Sequence, residues 1–334
     1  MKAPAVVFPE PKRVEIREME LPDVGPGQVG IRTAFSGVSQ GTERWALMGR
    51  YYRFEDVPEH YPCSPGYQAA GVVEVVGAEV ESFAVGDHVM TMGTHFANPD
   101  HKYPGPMQAS HAGYLVADAS AAWKVAPEVD LAAASLFHVA GVSRSGVRVT
   151  KVQPGDLVAL IGLGMIGQMS AQAARRAGAR VIATDLIADR CQLAAEHSAD
   201  RVVDGSRESL EDAVREERPD GADVVIDTTG ISNMYERCRD LIRHEGKITM
   251  QGYYPDPISI EFHPTHLTRA SVTFPCGWDD EENDDIADDM KTGALRLDPL
   301  ITHRIPFRDA AAAYELVVEH PEASLGMVFD WTGA

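Results

Sequence analysis

The rhythm of apolar and polar positions changes twice along the chain. Up to Val125, short apolar runs alternate with glycine- and proline-rich breaks. Ala5–Phe8, Val29–Thr33, Ala70–Val76 and His88–Thr91 are separated by segments such as Pro22-Asp23-Val24-Gly25-Pro26-Gly27. Runs of this length between turn formers predict strands, and many short strands with frequent turns predict a small barrel. From Asp130 the period lengthens. Leu131–Val149 reads as helix and Pro154-Gly155-Asp156 as a turn. The strand candidates Leu157–Ile161, Arg180–Thr184, Arg201–Asp204, Asp223–Asp227, Gly246–Met250 and Ser271–Phe274 then alternate with helix candidates over Gln168–Ala177, Ile187–His197 and Tyr235–His244. Such alternation predicts a parallel, right-handed, doubly wound sheet. Beyond it, Ile305–Asp309 leads into a helix over Ala310–Glu319 and a strand over Leu325–Phe329. The expected fold class is α/β, with a doubly wound parallel sheet inserted into a β-rich barrel domain. Residues 1–128 and 277–334 are expected to form the barrel domain and residues 129–276 the sheet domain.

The first strand of the alternating region ends at Gly162-Leu163-Gly164-Met165-Ile166-Gly167, which opens the alanine-rich stretch Gln168–Ala177. Strand, glycine turn and helix in that order make a dinucleotide-binding (Rossmann) fingerprint. Gly162 permits the turn, Gly164 lets the backbone approach a pyrophosphate, and Gly167 lets helix and strand pack closely. The phosphates then meet the positive end of the helix. Asp185 follows the next apolar run. An acid there accepts hydrogen bonds from a ribose 2′-hydroxyl and repels a 2′-phosphate, which favours NAD over NADP. Past Asp185-Leu186-Ile187-Ala188 no arginine clamp is offered until Arg190, which is a candidate cofactor contact. The motif begins far along the chain, so a substrate domain must precede it.

Composition narrows the classes. The 334 residues suffice for two domains and a sizeable core. No run is long enough to span a bilayer, and Met1–Pro11 carries charges and prolines rather than a signal-peptide pattern. Cys63, Cys191, Cys238 and Cys276 are widely separated and form no Cys-x-x-Cys pair. They suggest neither a disulfide framework nor a cysteine-rich zinc lobe, and a cytoplasmic location is expected. The net charge of −20 argues against a nucleic-acid partner. The densest acidic block, Asp279–Asp285, is expected to be a solvated helix start.

Five further segments carry a family resemblance. They are Ser36-Gly37-Val38-Ser39-Gln40-Gly41-Thr42-Glu43, Pro65-Gly66-Tyr67-Gln68-Ala69-Ala70-Gly71-Val72-Val73, Val85-Gly86-Asp87-His88-Val89, Val152-Gln153-Pro154-Gly155-Asp156 and Ile305-Pro306-Phe307. With the glycine motif they make the chain resemble, over nearly its whole length, the medium-chain dehydrogenase/reductase superfamily: alcohol dehydrogenase-like proteins with a GroES-like N-terminal domain. The resemblance implies hydride transfer between NAD(P) and an alcohol or carbonyl, or reduction of an activated double bond. It implies a homodimer or dimer of dimers, with contacts through strands near Ser271–Phe274 and Ile258–Phe262. It also puts Thr229 and Gly230 on the adenosine side of the cofactor, and Gly252 and Tyr253 near the nicotinamide. The segment Ser36–Glu43 further looks like the matching segment of bacteriochlorophyllide dehydrogenases, which oxidise a hydroxyethyl side chain.

The departures from the family pattern are as informative as the matches. Zinc-dependent members carry a cysteine ligand where this chain reads Ser36-Gly37-Val38-Ser39. They carry a histidine ligand where it reads Gly66-Tyr67-Gln68, and a Cys, Asp or Glu where it reads Ser135-Leu136-Phe137-His138. Gly93–Ser110 has none of the cysteines of a structural zinc lobe. Zinc takes about four N, S or O ligands, so no metal site is expected. A re-invented metal site drawn from His60, Cys63, His88, His95, His101, His111 and His138 is the counter-reading, although no pair of them has a zinc-like local spacing.

Without zinc, a side chain must take the hydroxyl proton and polarise the developing carbonyl. The catalytic candidates are Tyr67, His138 and Glu43. Tyr67 stands at the histidine-ligand position as a donor to substrate oxygen, or as a base if a cation lies beside it. His138 titrates in the useful range as base or relay. Glu43 is a candidate to orient Arg44 or a substrate hydroxyl. Ser39, Gln68 and His111 are candidate substrate contacts, together with the aromatic residues Trp45, Tyr51 and Tyr52, beside Phe54. Aromatic walls suit a ring-shaped substrate. The reading is a zinc-independent, NAD-dependent dehydrogenase of a secondary alcohol: a polyol, a sugar or a hydroxylated biosynthetic intermediate. The alternatives are a quinone or enoyl reductase, which prefers NADPH, and a non-catalytic dinucleotide-binding protein.

Overall fold

A computed structural model describes residues 1–50, 60–103, 107–277 and 281–334. They form two compact units: Met1–His138 with Asn283–Gly293 and Ile301–Ala334, and Val139–Glu282 with Ala294–Leu300. The first unit opens with strands β1 (Lys2–Val7), β2 (Glu15–Glu20) and β3 (Gln28–Gly37) and helix α1 (Gln40–Leu47). Strands β4 (Ala69–Val76), β5 (His88–Thr91), β6 (Tyr114–Asp118) and β7 (Ala122–Lys124) and helix α2 (Leu131–Ala134) follow. Helix α3 (Phe137–Val149) carries the chain into the second unit.

There, β8 (Leu157–Ile161), α4 (Met165–Arg176), β9 (Arg180–Asp185), α5 (Ala188–His197), β10 (Arg201–Asp204), α6 (Leu210–Glu217), β11 (Ala222–Asp227), α7 (Met234–Leu241), β12 (Ile242–Met250), α8 (Phe262–Thr268) and β13 (Ser271–Thr273) alternate. Among the described residues these strands make a six-stranded parallel sheet in the order β10-β9-β8-β11-β12-β13. This is the doubly wound order, and its switch point lies between β8 and β11. All of β8 and β11 is buried, as a parallel sheet covered by helices on both faces requires. Gln172 holds residues 294–300 to this unit, because its side-chain amide bonds to both the N–H and the carbonyl of Arg296, at 2.9 and 3.0 Å.

Helix α9 (Glu281–Thr292), strand β14 (Ile301–Pro306), helix α10 (Ala310–Glu319) and strand β15 (Gly326–Asp330) end the chain. β3 organises the first unit. One of its edges pairs with β4, and the other is shared by β6 at its start and β15 at its end. One core cluster gathers Val29, Ile31, Val73, Val89 and Leu115, and another gathers Phe8, Tyr314, Phe329 and Trp331.

Element edges differ from the sequence pattern where a single period misleads. β2 escapes notice because only Met19 of its six residues is buried. The expected helix over Tyr235–His244 stops at Leu241, and Ile242 already belongs to β12. Ile258–Phe262 alternates like a strand but pairs with none, and α8 begins at its last residue. α9 begins at Glu281, inside the acidic block, whose Asp279 and Asp280 lie outside the described residues.

The glycine motif shows three different constraints. Gly162 has φ 92°, in the left-handed region. A Cβ at Gly167 would lie 1.9 Å from the Gly162 carbonyl oxygen, whereas one at Gly164 would meet nothing within 4 Å. Gly167→Ala is therefore expected to cost about 2 kcal/mol or more, and Gly164→Ala no more than about 0.5 kcal/mol. Calorimetric melting of the two variants without ligand checks this; equal midpoints would overturn the packing role of Gly167.

Candidate functional site

The second unit gathers its chemistry at the C-terminal ends of its strands, where open α/β sheets bind ligands. The turn after β8 is held from two sides. Thr228 Oγ1 donates to the Gly162 carbonyl at 3.0 Å. Asp185, at the end of β9, accepts from the Leu163 N–H at 2.7 Å and from the Ile187 N–H at 3.0 Å, one bond per carboxylate oxygen. A carboxylate oxygen accepts more than one bond, so Asp185 keeps capacity for a ribose hydroxyl. Arg190 Nη1 lies 3.9 Å from it. Met165 and Ile166 form the first turn of α4, whose N–H groups have no intrahelical acceptor.

The segments after β11 and β12 touch. A Cβ at Gly252 would lie 2.4 Å from the Gly230 nitrogen, and one at Gly230 would lie 2.7 Å from the Tyr253 carbonyl oxygen. Thr229, Gly230, Gly252 and Tyr253 are thus brought together beside the glycine turn. The open space at Gly164 and the donors of the first helical turn fit a pyrophosphate.

In the first unit, Tyr67, Ser39 and His138 come together. Tyr67 follows Gly66, whose φ is 88°. Its hydroxyl donates to Ser39 Oγ, and its ring stands 4.5 Å from that of His138. Burial raises the phenol, and the charge of Glu43 raises it further, while bonds to Ser39 and Thr42 oppose them; the outcome is about 12. His138 Nδ1 lies 3.0 Å from Met92 Sδ. A thioether only accepts, so Nδ1 carries the proton and Nε2 is the acceptor nitrogen. Burial lowers the imidazole to about 3, which keeps the ring neutral at ordinary pH.

Glu43 and His111 lie behind this group, both with no exposed surface. Glu43 Oε1 accepts the Ser39 N–H at 2.8 Å. Its Oε2 accepts from His111 Nε2 at 3.0 Å and from the Tyr314 hydroxyl. His111 Nδ1 lies 2.7 Å from Ser36 Oγ, which also accepts from Trp331 Nε1 at 2.8 Å. Trp331 donates to Ser36 Oγ, and His111 bridges Ser36 and Glu43 through its two ring nitrogens. Glu43 is thus a buried carboxylate solvated by protein donors, and it reaches Ser39 through the backbone rather than facing a substrate.

The remaining candidates are scattered. Gln68 is fully buried; its side chain donates to the Gly37 carbonyl at 3.3 Å and its N–H to Ser110 Oγ at 3.0 Å. Trp45 is flanked by the guanidinium groups of Arg44 and Arg50, at 5.7 and 5.3 Å from its ring. Tyr51, Tyr52 and Phe54 lie outside the described residues. Ser36, Tyr314, Trp331 and Met92 join the site without having been singled out from sequence, because no local spacing links them to it.

The zinc-ligand positions of the family were tested on these contacts. Ser39 and Tyr67 bond to each other, and the phenol is held protonated. Hydroxyls in this state are not zinc donors. Among the described residues no group of three or more His, Cys, Asp or Glu is arranged to hold a metal ion. Ser39 and Tyr67 therefore offer neutral hydroxyls at positions where zinc-dependent members keep ligands.

Residues 25–128 match the family model described as alcohol dehydrogenase GroES-like domain, and residues 166–288 the one described as zinc-binding dehydrogenase. A 2-desacetyl-2-hydroxyethyl bacteriochlorophyllide A dehydrogenase from Cereibacter sphaeroides is 27% identical over 335 residues, covering 99% of each chain. Among solved structures, an oxidoreductase/dehydrogenase of unknown specificity from Escherichia coli matches with TM-score 0.88 at 22% identity over 99% of each chain. A protein from Sinorhizobium meliloti, described as a zinc-binding dehydrogenase and bound to NADP, matches with TM-score 0.84 at 22% identity, again over 99% of each chain. With both of its domains matched, the chain belongs to the medium-chain dehydrogenase/reductase superfamily, as an alcohol dehydrogenase-like member with a GroES-like domain.

Proposed function

We propose that the chain is an NAD-dependent dehydrogenase that interconverts a secondary alcohol and its carbonyl without a metal. Tyr67 and Ser39 are the groups that act on the substrate oxygen. The observation that carries this reading is the Tyr67–Ser39 hydroxyl pair at positions where zinc-dependent relatives keep ligands. The Cereibacter relative, whose name specifies a hydroxyethyl group, supports an alcohol substrate.

A bound dinucleotide supplies or takes up hydride at the alcohol carbon. Tyr67 donates to Ser39 Oγ, so the Ser39 hydroxyl hydrogen remains for a substrate oxygen. In carbonyl reduction the oxygen takes its proton from Ser39, Tyr67 replaces it, and water reprotonates the phenolate. A phenol near 12 is a stronger acid than an aliphatic alcohol, so the proton runs downhill in this direction. In alcohol oxidation the same chain carries the proton out, and rising pH favours it. His138 packs on the Tyr67 ring and positions it; held near 3, the imidazole takes up almost no proton at neutral pH.

Asp185 supports NAD, because a 2′-phosphate at the end of β9 would meet its charge. The edge strand β13, with exposed Phe274 beyond it, supports self-association along that side of the sheet.

Three measurements test the reading. Tyr67→Phe should lower kcat about 100-fold with NADH affinity unchanged, and the wild type should keep its activity after exhaustive chelation. Full activity in Tyr67→Phe, or loss on chelation restored by zinc, would sink the metal-free mechanism. Asp185→Gly should relax the preference for NAD toward NADP; an unchanged ratio of kcat/KM values would show that the ribose contact lies elsewhere.

The third measurement concerns acid stability. The unfolded His138 imidazole takes up a proton below about 6.5 and the folded one only near 3, so stability falls as pH drops through that window. His101, lowered by burial to about 4, adds to the fall. His138→Phe should flatten the loss of Tm between pH 6.5 and 5, and an unchanged slope would mean that the ring is not held neutral.

A further inference from the structure

Asp227 is a buried carboxylate that the hydride chemistry does not use. It is the last residue of β11 and has no exposed surface. Its Oδ2 accepts from the Tyr254 hydroxyl at 2.5 Å. Its Oδ1 accepts from Thr229 Oγ1 at 2.9 Å and from the Thr229 N–H at 3.3 Å. The Asp227 backbone carbonyl accepts from the N–H groups of Gln251 and Gly252, at 2.8 and 3.2 Å. One residue therefore binds the segment after β11 through Thr229 and the segment after β12 through Tyr254, Gln251 and Gly252.

These segments are the ones already found beside the glycine turn. Thr228 reaches the Gly162 carbonyl, and a Cβ at Gly162 would lie 3.0 Å from Thr229 Cγ2. Thr229 Oγ1 also accepts the Ile231 N–H at 3.1 Å, which shapes the next residues of the same segment.

A buried anion is an expensive way to fill this space. Apolar packing of the same volume often serves stability as well or better, so the carboxylate calls for another reason. Its arrangement supplies one, since only a group with several acceptor sites can hold donors from both segments at once. Burial raises both groups, and the Asp227 charge raises the Tyr254 phenol further, so the tyrosine stays a donor.

We propose that Asp227 is a positioning residue for dinucleotide binding, locking the segments after β11 and β12 together beside the glycine turn. The inference rests on reading that turn as the dinucleotide cradle. Its partners are Tyr254 and Thr229, and the walls it fixes are Thr229–Ile231 and Gln251–Tyr253.

The test is NADH affinity, measured by fluorescence titration and calorimetry on the full chain, for wild type, Asp227→Asn, Tyr254→Phe and the double variant. Losing a charge-assisted bond should weaken NADH binding roughly tenfold in each single variant. The double variant should match the singles rather than multiply them, because both remove the same link. The kcat at saturating cofactor should stay within about threefold, since a preorganisation loss falls on binding. Should Asp227→Asn fail to fold, Tyr254→Phe carries the same comparison. NADH affinity unchanged in the folded variants while only Tm falls would overturn the proposal and leave Asp227 a stability element. No NADH binding by the wild type itself would overturn the dinucleotide reading, and the proposal with it.

Discussion

The first unit is organised around one buried charge. Glu43 sits at the start of α1 with no water to solvate it, and an isolated carboxylate there would be prohibitively unstable. Its solvation comes from four other places in the chain: Ser39 before the helix, His111 ahead of β6, Tyr314 on α10, and, through His111, Ser36 on β3. Trp331, next to the end of β15, closes the set. Hydrogen bonds to a charged group contribute about 1.5–3 kcal/mol each, and removing a donor leaves the charge unmatched. The N-terminal half of the barrel and the last strand are therefore tied by a polar contact as well as by β3–β15 pairing. Ser39 and Tyr67 inherit their geometry from it.

The second unit solves a different problem with the same device. Its reactive surface is a set of strand ends and turns, which a sheet alone does not hold in place. Asp185 clamps the glycine loop from β9, and Asp227 clamps the neighbouring loops from β11. Each is a carboxylate at a strand terminus whose oxygens accept N–H or O–H groups of the adjoining segment. Close backbone approach does the rest, at Gly167 on Gly162 and at Gly252 on Gly230. These contacts tie the strand-end segments to one another, and ties of this kind lower the ordering cost of binding a ligand.

What was legible in sequence divides along the same line. The parallel sheet was readable because its strands are continuous apolar runs and its glycine turn has fixed spacing. The barrel strands were readable only where one face is apolar, which is why β2 was invisible. Tyr67 and Ser39 were each legible as residues at lost ligand positions, and their bond to one another came only with the fold. The network behind them did not. Glu43 and Tyr314 are 271 positions apart, and Ser36 and Trp331 are 295 apart, so only the folded β3–β15 pairing joins them. His138 illustrates a further limit. Its residue type suggests a base, but titration depends on burial, and burial is a property of the fold.

In the proposed mechanism, two hydroxyls stand in place of a Lewis acid, and this changes which direction of the reaction is assisted. A metal lowers the proton affinity of an alcohol oxygen and so helps the oxidation. A hydroxyl can only share its proton. With the Tyr67 phenol held up near 12 by burial and by the Glu43 charge, the site offers hydrogen bonds and no base of useful strength at neutral pH. Such a site stabilises charge that builds on a carbonyl oxygen as hydride arrives. Glu43 thus acts twice. It fixes the Ser39 backbone, and its charge adds to the burial that raises the Tyr67 phenol. In the proposed mechanism the same negative charge disfavours an alkoxide at the substrate oxygen and so couples proton transfer to hydride transfer. In the proposed mechanism the hydroxyl pair supplies that coupling, which the His138 imidazole, lowered by burial to about 3, does not.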